Sequence, residues 1–412
     1  MTALLEKIKN TSRIDYINYL ILIYAFTLSF PSEIKRVVAI LMIILWITDR
    51  TKYDFKLPKT NLFLFFWIFI VYSLLSYFWS DATISESFSY IKRYWYYLPT
   101  FIIFKYLKKD FLEYVISSFL IGMFISEFLS YGNYFAIWQI GLGEPNNPTV
   151  FIHHTTYSVF LAIVSIFLFI KIYNEKLKIK KIVYIIFFLT ITVNLLLNSG
   201  RTGYISFFIT VLLLSIYLFR KKILYIFITF LAVTSIIIFA YFLSPNFEKR
   251  TNLIKNDVQQ VLNQNNYSTA IGARIGLWII AKNIISDNPL FGIGIANSYQ
   301  IKNDFIENQI KNDFEYLKSL HSFHNIYLEI LIQYGIIGLI LFLIIIYQIF
   351  KIKINNNELK LLKIISLSVY LLGSCVDILF YLKDSMLFLS FLVGLFLATY
   401  KIETLSKSAK IN

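Results

Sequence analysis

The strongest constraint on this chain is the recurrence of long apolar runs, most near twenty residues, from one end of the sequence to the other. A bilayer core is crossed by about 20 apolar residues in helical form, because every backbone N–H and C=O must find its partner within the segment. The runs are separated by short basic connectors, so the pattern reads as many spans and not as one anchor on a soluble domain. Composition agrees: 15% of the residues are charged, against roughly a quarter in soluble domains. The expected fold class is therefore all-α, a polytopic integral membrane protein forming one domain over residues 1–412. The first run, Tyr16 to Phe30, follows a short basic stretch as a signal peptide would. No small-residue cleavage site comes after it and more spans do, so it reads as a first transmembrane helix.

The formal charge of +15 could suggest nucleic acid, but the Lys and Arg residues are scattered between apolar runs and form no continuous basic face. No nucleic-acid partner is expected. The single cysteine, Cys375, lies in an apolar run, which excludes an intramolecular disulfide and a cysteine zinc cage.

Helices are expected near 16–34, 36–48, 62–78, 94–107, 111–130, 155–172, 182–198, 203–219, 223–243, 326–350, 361–381 and 385–400, about twelve spans in all. The second and fourth are short for a crossing. Orientation follows the Lys/Arg bias of short loops. Arg50, Lys52, Lys56 and Lys59 share one connector; Lys108 and Lys109, then Lys176, Lys178, Lys180 and Lys181, then Arg220, Lys221 and Lys222, then Lys351, Lys353, Lys360 and Lys363 mark the others on that side. Those connectors should be cytoplasmic, with both termini. The alternate loops, such as Trp79 to Tyr90 and the Lys- and Arg-free Tyr131 to Ile152, should face outward.

One connection is far longer than the rest. Ser244 to Phe323 spans about eighty mostly polar residues on the outward side, just before the tenth span. Loops of this length are usually functional or disordered. Amphipathic stretches at Ile275 to Ile285 and Ile301 to Leu317 predict helices lying on or over the membrane surface.

Three residue groups carry candidate chemistry. Arg201 stands in Asn198-Ser199-Gly200-Arg201-Thr202-Gly203-Tyr204, at the outward end of a span, where the basic bias would not place it. A charge near the bilayer is costly and usually partnered; a guanidinium there either snorkels to headgroups or clamps a phosphate with two donors. Arg274 lies in Gly272-Ala273-Arg274-Ile275-Gly276-Leu277-Trp278, followed by Asn288-Pro289-Leu290-Phe291-Gly292-Ile293-Gly294. Alone, such an arginine reads as a solvated loop charge. His321 and His324 end the loop in His321-Ser322-Phe323-His324-Asn325-Ile326-Tyr327-Leu328-Glu329. Their spacing of three would put both rings near one helical face, as some metal sites require, but no third ligand follows at recognisable spacing. General-base chemistry fits an imidazole there better; an interfacial cap of the next span is the structural reading.

The run from Ile271 to Gly338, with Gly-Ala-Arg, Trp278, Pro289 to Gly294, and His324-Asn325 followed by Gly335-x-x-Gly338, resembles the signature region of the O-antigen ligase and polymerase family of membrane glycosyltransferases. Arg201 in Ser-Gly-Arg-Thr-Gly matches that family's upstream arginine. The motifs cover about a quarter of the chain, and the span layout with a large outward loop before the tenth helix is similar throughout. The resemblance implies a GT-C-like fold in the bacterial inner membrane with the active site facing the periplasm. It implies a glycan donor linked through diphosphate to undecaprenol, and the lipid A core saccharide as acceptor. Carried over residue by residue, the essential positions are Arg201, Arg274 and His324. His321 falls outside the matched motif and is kept as substrate-binding support. Lys92 and Arg93 in Tyr90-Ile91-Lys92-Arg93-Tyr94-Trp95 also lie near an outward face, where they could help hold the diphosphate or attract lipid headgroups.

On this reading His324 takes the proton of the acceptor hydroxyl as it attacks the anomeric carbon, and Arg201 and Arg274 neutralise the departing diphosphate. One displacement inverts the anomeric centre. No Asp-x-Asp metal motif occurs in the outward segments, so neither a metal nor another cofactor is expected. An O-antigen polymerase of the same superfamily is the nearest alternative. A glycolipid flippase or other transporter is the alternative of another class, but no pseudo-symmetric repeat is visible and the candidate charges gather toward one face.

Overall fold

The computed structural model describes residues 12–48, 59–243, 245–309 and 312–408; Arg50, Lys52 and Lys56 of the first basic connector lie outside them. The described residues are helical, with no strand beyond an isolated bridge between Glu144 and Asn147. In chain order the helices are α1 (Arg13–Thr27), α2 (Ser32–Ile47), α3 (Leu62–Leu75), α4 (Ile84–Ile91), α5 (Leu98–Tyr106), α6 (Leu112–Tyr134), α7 (His154–Asn174), α8 (Lys178–Leu197), α9 (Arg201–Phe219) and α10 (Ile223–Leu243). There follow α11 (Pro245–Gln264), α12 (Ala270–Asp287), α13 (Ser298–Gln309), α14 (Ile326–Lys351), α15 (Asn357–Gly373) and α16 (Lys383–Ser408).

The expected spans overlap these helices, but 16–34 runs past the end of α1 into the start of α2, and 361–381 runs eight residues past the end of α15. Eight stretches among the described residues are long and apolar enough to cross a membrane: Leu62–Trp79, Lys109–Tyr134, His154–Asn174, Lys178–Leu197, Arg201–Phe219, Ile223–Phe242, Ile326–Lys351 and Lys383–Lys407. The protein is thus an integral membrane protein. The other four, α1, α2, α5 and α15, have 15, 16, 9 and 17 residues. Their shortness is supported by pairing with neighbours. Tyr24 of α1 donates to Leu387 O at 3.0 Å, and Thr100 of α5 shares two hydrogen bonds with Ser390 of α16, at 2.9 and 3.0 Å.

Helix C-termini leave orphan carbonyls that are costly where water is scarce. Buried lysines meet them here. Lys35 donates to Leu28 O at 2.8 Å and pairs with Asp384 at 2.9 Å. Lys363 donates to Phe350 O and Ile352 O, and Lys401 to Lys105 O and Leu107 O at 2.8 and 3.1 Å. An ammonium at that end also opposes the negative pole of the helix dipole.

The long 245–319 connection is helical as expected: Ile275 to Ile285 falls within α12, and the Ile301 to Leu317 stretch is divided between α13 and a 3₁₀ turn, Asn312–Ser319. These elements bury a second apolar cluster that includes Leu277, Ile280, Ile284, Ile306, Leu317 and Phe323. Lys302, 1% exposed, closes the 3₁₀ turn by donating to Leu317 O, Lys318 O and Leu320 O.

The Pro289–Gly294 motif holds this layer to the bundle. Helix α14 breaks at Gly335, at φ 62° and ψ −165°, a region that only glycine enters cheaply. A Cβ there would lie 2.2 Å from Leu290 O. The break frees carbonyls that the motif then satisfies: Ile293 N–H donates to Ile332 O at 2.8 Å and Gly294 N–H to Gln333 O at 3.0 Å, while Ile336 N–H returns a bond to Pro289 O at 2.9 Å.

Candidate active site

Arg201 is the first residue of α9, positioned by a close approach to α7. A Cβ on Gly200 or Gly203 would come within 2.3 Å of Ser158, so only glycine allows the contact. Gly203 N–H donates to Ser158 Oγ at 3.1 Å, and Ser199 Oγ donates to Asn146 O at 3.1 Å. A cation at the positive end of a helix dipole is unfavourable alone. Arg201 Nη1 is nonetheless buried with no hydrogen-bond partner among the described residues.

The turn after α15 gathers the other parts. Three successive carbonyls accept from three segments: Ser374 O from Ile326 N–H at 3.0 Å, Cys375 O from Asn325 Nδ2 at 3.0 Å, and Val376 O from Arg274 Nε at 3.2 Å. The next residue, Asp377, turns Oδ1 toward His324 Nδ1 at 3.8 Å. That is beyond a hydrogen bond but within the distance of an ion pair when the imidazole carries a proton. The preceding residue, Gly373, packs against α9, where a Cβ would meet Thr202 Cγ2 at 3.0 Å. Arg201, Arg274, His324 and Asp377 are thereby brought to one end of the bundle.

His324 occupies the left-handed region at φ 47°, unusual for a residue with a side chain. Its neighbours explain it. Phe323 is buried and its N–H donates to Glu329 Oε2 at 3.1 Å, while Asn325 caps α14 by accepting from Tyr327 N–H and Leu328 N–H at 2.9 and 3.2 Å. Between two fixed ends the chain reverses at His324. Such strain is held where the surroundings over-determine it, commonly at functional sites. His324 Nδ1 is buried and without a hydrogen-bond partner among the described residues.

Arg274 projects from the first turns of α12, its Nη1 donating to Ala270 O at 2.8 Å. Burial lowers its pKa from the ordinary arginine value, Arg201 adds to this, and Asp377 opposes it. Two guanidiniums close enough to disfavour each other, one with a buried donor that has no partner among the described residues, have the charge and donor geometry that an anion would satisfy.

The remaining sequence candidates lie apart. His321 is not on a helix shared with His324: its ring stacks on Tyr299 at 4.7 Å, whose ring also carries Lys302 at 4.7 Å. Lys92 and Arg93 are exposed, and among the described residues neither bonds to Arg201, Arg274 or His324. Arg93 lies 4.8 Å over Tyr90, whose hydroxyl accepts from Gln333 at 2.8 Å.

Two residues were missed by the sequence reading. Asp377 was hidden in the 361–381 span, although an acidic residue inside an apolar run is itself a signal; helix α15 in fact ends at Gly373. Glu329 accepts from Ser298 Oγ at 2.8 Å, Gln333 Nε2 at 2.7 Å and Phe323 N–H at 3.1 Å, tying α13, α14 and the His324 turn together.

Residues 185–343 match the family model described as O-Antigen ligase, an interval that contains Arg201, Arg274, His321 and His324. The chain is 28% identical over 245 residues to an "Uncharacterized protein" of Haemophilus influenzae, covering 57% of this chain and 60% of that protein. It is 37% identical over 99 residues to a Rickettsia conorii protein named "Putative polysaccharide ligase", covering 24% of each. The chain thus spans about three fifths of the first relative and a quarter of the second. The signature motifs, the matched region and the polytopic helical fold agree in making residues 185–343 of this chain similar to the O-antigen ligase family.

Proposed function

We propose that this protein is an O-antigen ligase that moves a glycan from undecaprenyl diphosphate to lipid A core on the periplasmic side of the bacterial inner membrane. The chain works as one integral membrane unit over residues 1–412, with 244–323 a periplasmic loop that contributes Arg274 to the active site. The observation that carries this reading is the cluster itself: Arg201 with an unpartnered buried Nη1 beside Arg274, and His324 with Nδ1 turned to Asp377.

In the reaction, Arg201 and Arg274 bind the diphosphate and neutralise the charge that grows as the anomeric C–O bond breaks. Asp377 faces His324 Nδ1, which leaves Nε2 to accept the proton of the attacking acceptor hydroxyl. The new glycosidic bond forms as undecaprenyl diphosphate departs with the bonding electrons, and the anomeric centre inverts. Lys92, Arg93 and His321, which lie apart from this cluster, would bind parts of the substrate away from the reacting atoms. The chemistry calls for no metal, because two arginines carry the charge that a divalent cation would otherwise neutralise.

A deletion strain tests the assignment. Loss of every lipopolysaccharide band above core-lipid A, with lipid-linked polymer accumulating, is the ligase outcome; core plus one repeat would make the protein a polymerase, and unchanged banding would refute both. His324→Ala at normal abundance should lose roughly 10²–10⁴ of the transfer rate. Retention of more than about a tenth would exclude it as the base.

A further inference from the structure

Residues 135–153 join α6 to α7 without regular secondary structure, longer than the roughly 12–15 residues beyond which such loops are uncommon and usually functional. This loop lies outside the region matched to the family. It is nevertheless fixed at many points. Asn133 donates to Ile140 O and Thr149 O at 2.9 and 2.8 Å and accepts from Ile140 N–H at 2.8 Å. Leu142 N–H donates to Val150 O at 2.7 Å, and Glu144 and Asn147 exchange backbone bonds of 3.2 and 2.9 Å. Trp138 is anchored by its Nε1 to Leu129 O at 3.0 Å.

The result is an open surface cleft of about 460 Å³ whose lining includes Asn133, Trp138, Gln139, Glu144, Pro145 and Asn146. Gln139, Glu144 and Asn146 are exposed, and Asn146 grips the rest of the protein through its main-chain carbonyl. Their side chains are therefore not needed to hold the loop. With the Asn133 amide engaged within the loop, an indole beside the Gln139 and Asn146 amides and the Glu144 carboxylate suits a ligand with apolar ring faces and many hydroxyls. Residues 131–152 contain no Lys or Arg, so the cleft is unsuited to phosphate. It is joined to the arginine site through Ser199, whose Oγ donates to Asn146 O at 3.1 Å and whose N–H donates to Asn147 Oδ1 at 3.4 Å, two residues before Arg201.

We propose that this cleft is a saccharide subsite for the uncharged sugar residues of the donor glycan, adjacent to the diphosphate held at Arg201. The proposal rests on the glycan-transfer reading for its substrate, but its binding chemistry can be measured separately. The test uses the full-length protein in lipid nanodiscs and the double variant Gln139→Ala/Asn146→Ala. Transfer kinetics are recorded with the polyprenyl-diphosphate glycan varied and then with the acceptor varied. Saturation-transfer NMR follows the soluble glycan released from the same donor by mild acid. The expected result is a donor KM raised roughly tenfold, as for two lost hydrogen bonds, with kcat and acceptor KM within twofold and weakened saturation transfer. An unchanged donor KM, or a rise confined to the acceptor KM, overturns the subsite. If wild-type protein transfers nothing yet saturates the glycan in a manner dependent on Gln139 and Asn146, the subsite stands and the transfer reading falls. If it does neither, both fall.

Discussion

Asp377→Asn isolates one interaction in the proposed site. Asparagine keeps the shape and an acceptor for Ile378 N–H, now bonded to Asp377 Oδ1 at 2.8 Å, so the turn that presents Val376 O to Arg274 should survive. What disappears is the negative charge 3.8 Å from His324 Nδ1. Unit charges about 4 Å apart interact by about 1 kcal/mol in water and about 4 kcal/mol at a dielectric typical of protein surfaces. The His324 side chain is 31% exposed, which places the effect in the lower half, about 1–2.5 kcal/mol. Only the transition state carries the developing imidazolium, so the loss falls on kcat, by about five- to seventyfold. Donor KM should stay level or fall, because removing a carboxylate beside Arg274 favours an anion there. Steady-state transfer by purified protein, normalised to abundance, reads both constants. A kcat within twofold of wild type would refute the coupling of Asp377 to the base, and a raised donor KM would show that Asp377 acts on the phosphate site.

Four further outcomes follow from the same geometry. Arg201→Lys and Arg274→Lys keep the charge but lose the two-donor fork, so each should cost at least tenfold in transfer, and Arg274→Lys should also loosen its hold on Val376 O; near-normal rates would remove the clamp. Cys375 is exposed on the turn beside the site and is the chain's single cysteine, so a membrane-impermeant maleimide should label it in intact spheroplasts; labelling only after lysis would invert the proposed topology. Gly335→Ala puts a Cβ at positive φ and 2.2 Å from Leu290 O, and should destabilise the protein by at least about 1–3 kcal/mol, seen as a lower melting temperature in detergent. Purified protein should transfer glycan in EDTA at the untreated rate, and strict dependence on added Mg²⁺ or Mn²⁺ would sink the arginine mechanism.

The helical membrane architecture is legible in the primary sequence, because bilayer crossing is a property of each segment alone: a run of about twenty apolar residues crosses lipid as a helix, and the basic connectors repeat between the runs. The sequence also singles out Arg201, Arg274 and His324, through the resemblance of their flanking motifs to one family, and the fold brings all three to one end of the bundle. How these residues are held is set by contacts between segments far apart in the chain. Arg274 meets Val376 across 102 residues of sequence, and Asp377 reaches His324 from a turn that hydropathy alone absorbs into a span. The Pro289–Gly294 motif acquires its meaning only when its N–H groups fill the carbonyls freed at Gly335. Each of these is a hydrogen bond or a charge pair between distant segments, and a donor or acceptor leaves no mark in the local sequence until the fold sets its partner opposite.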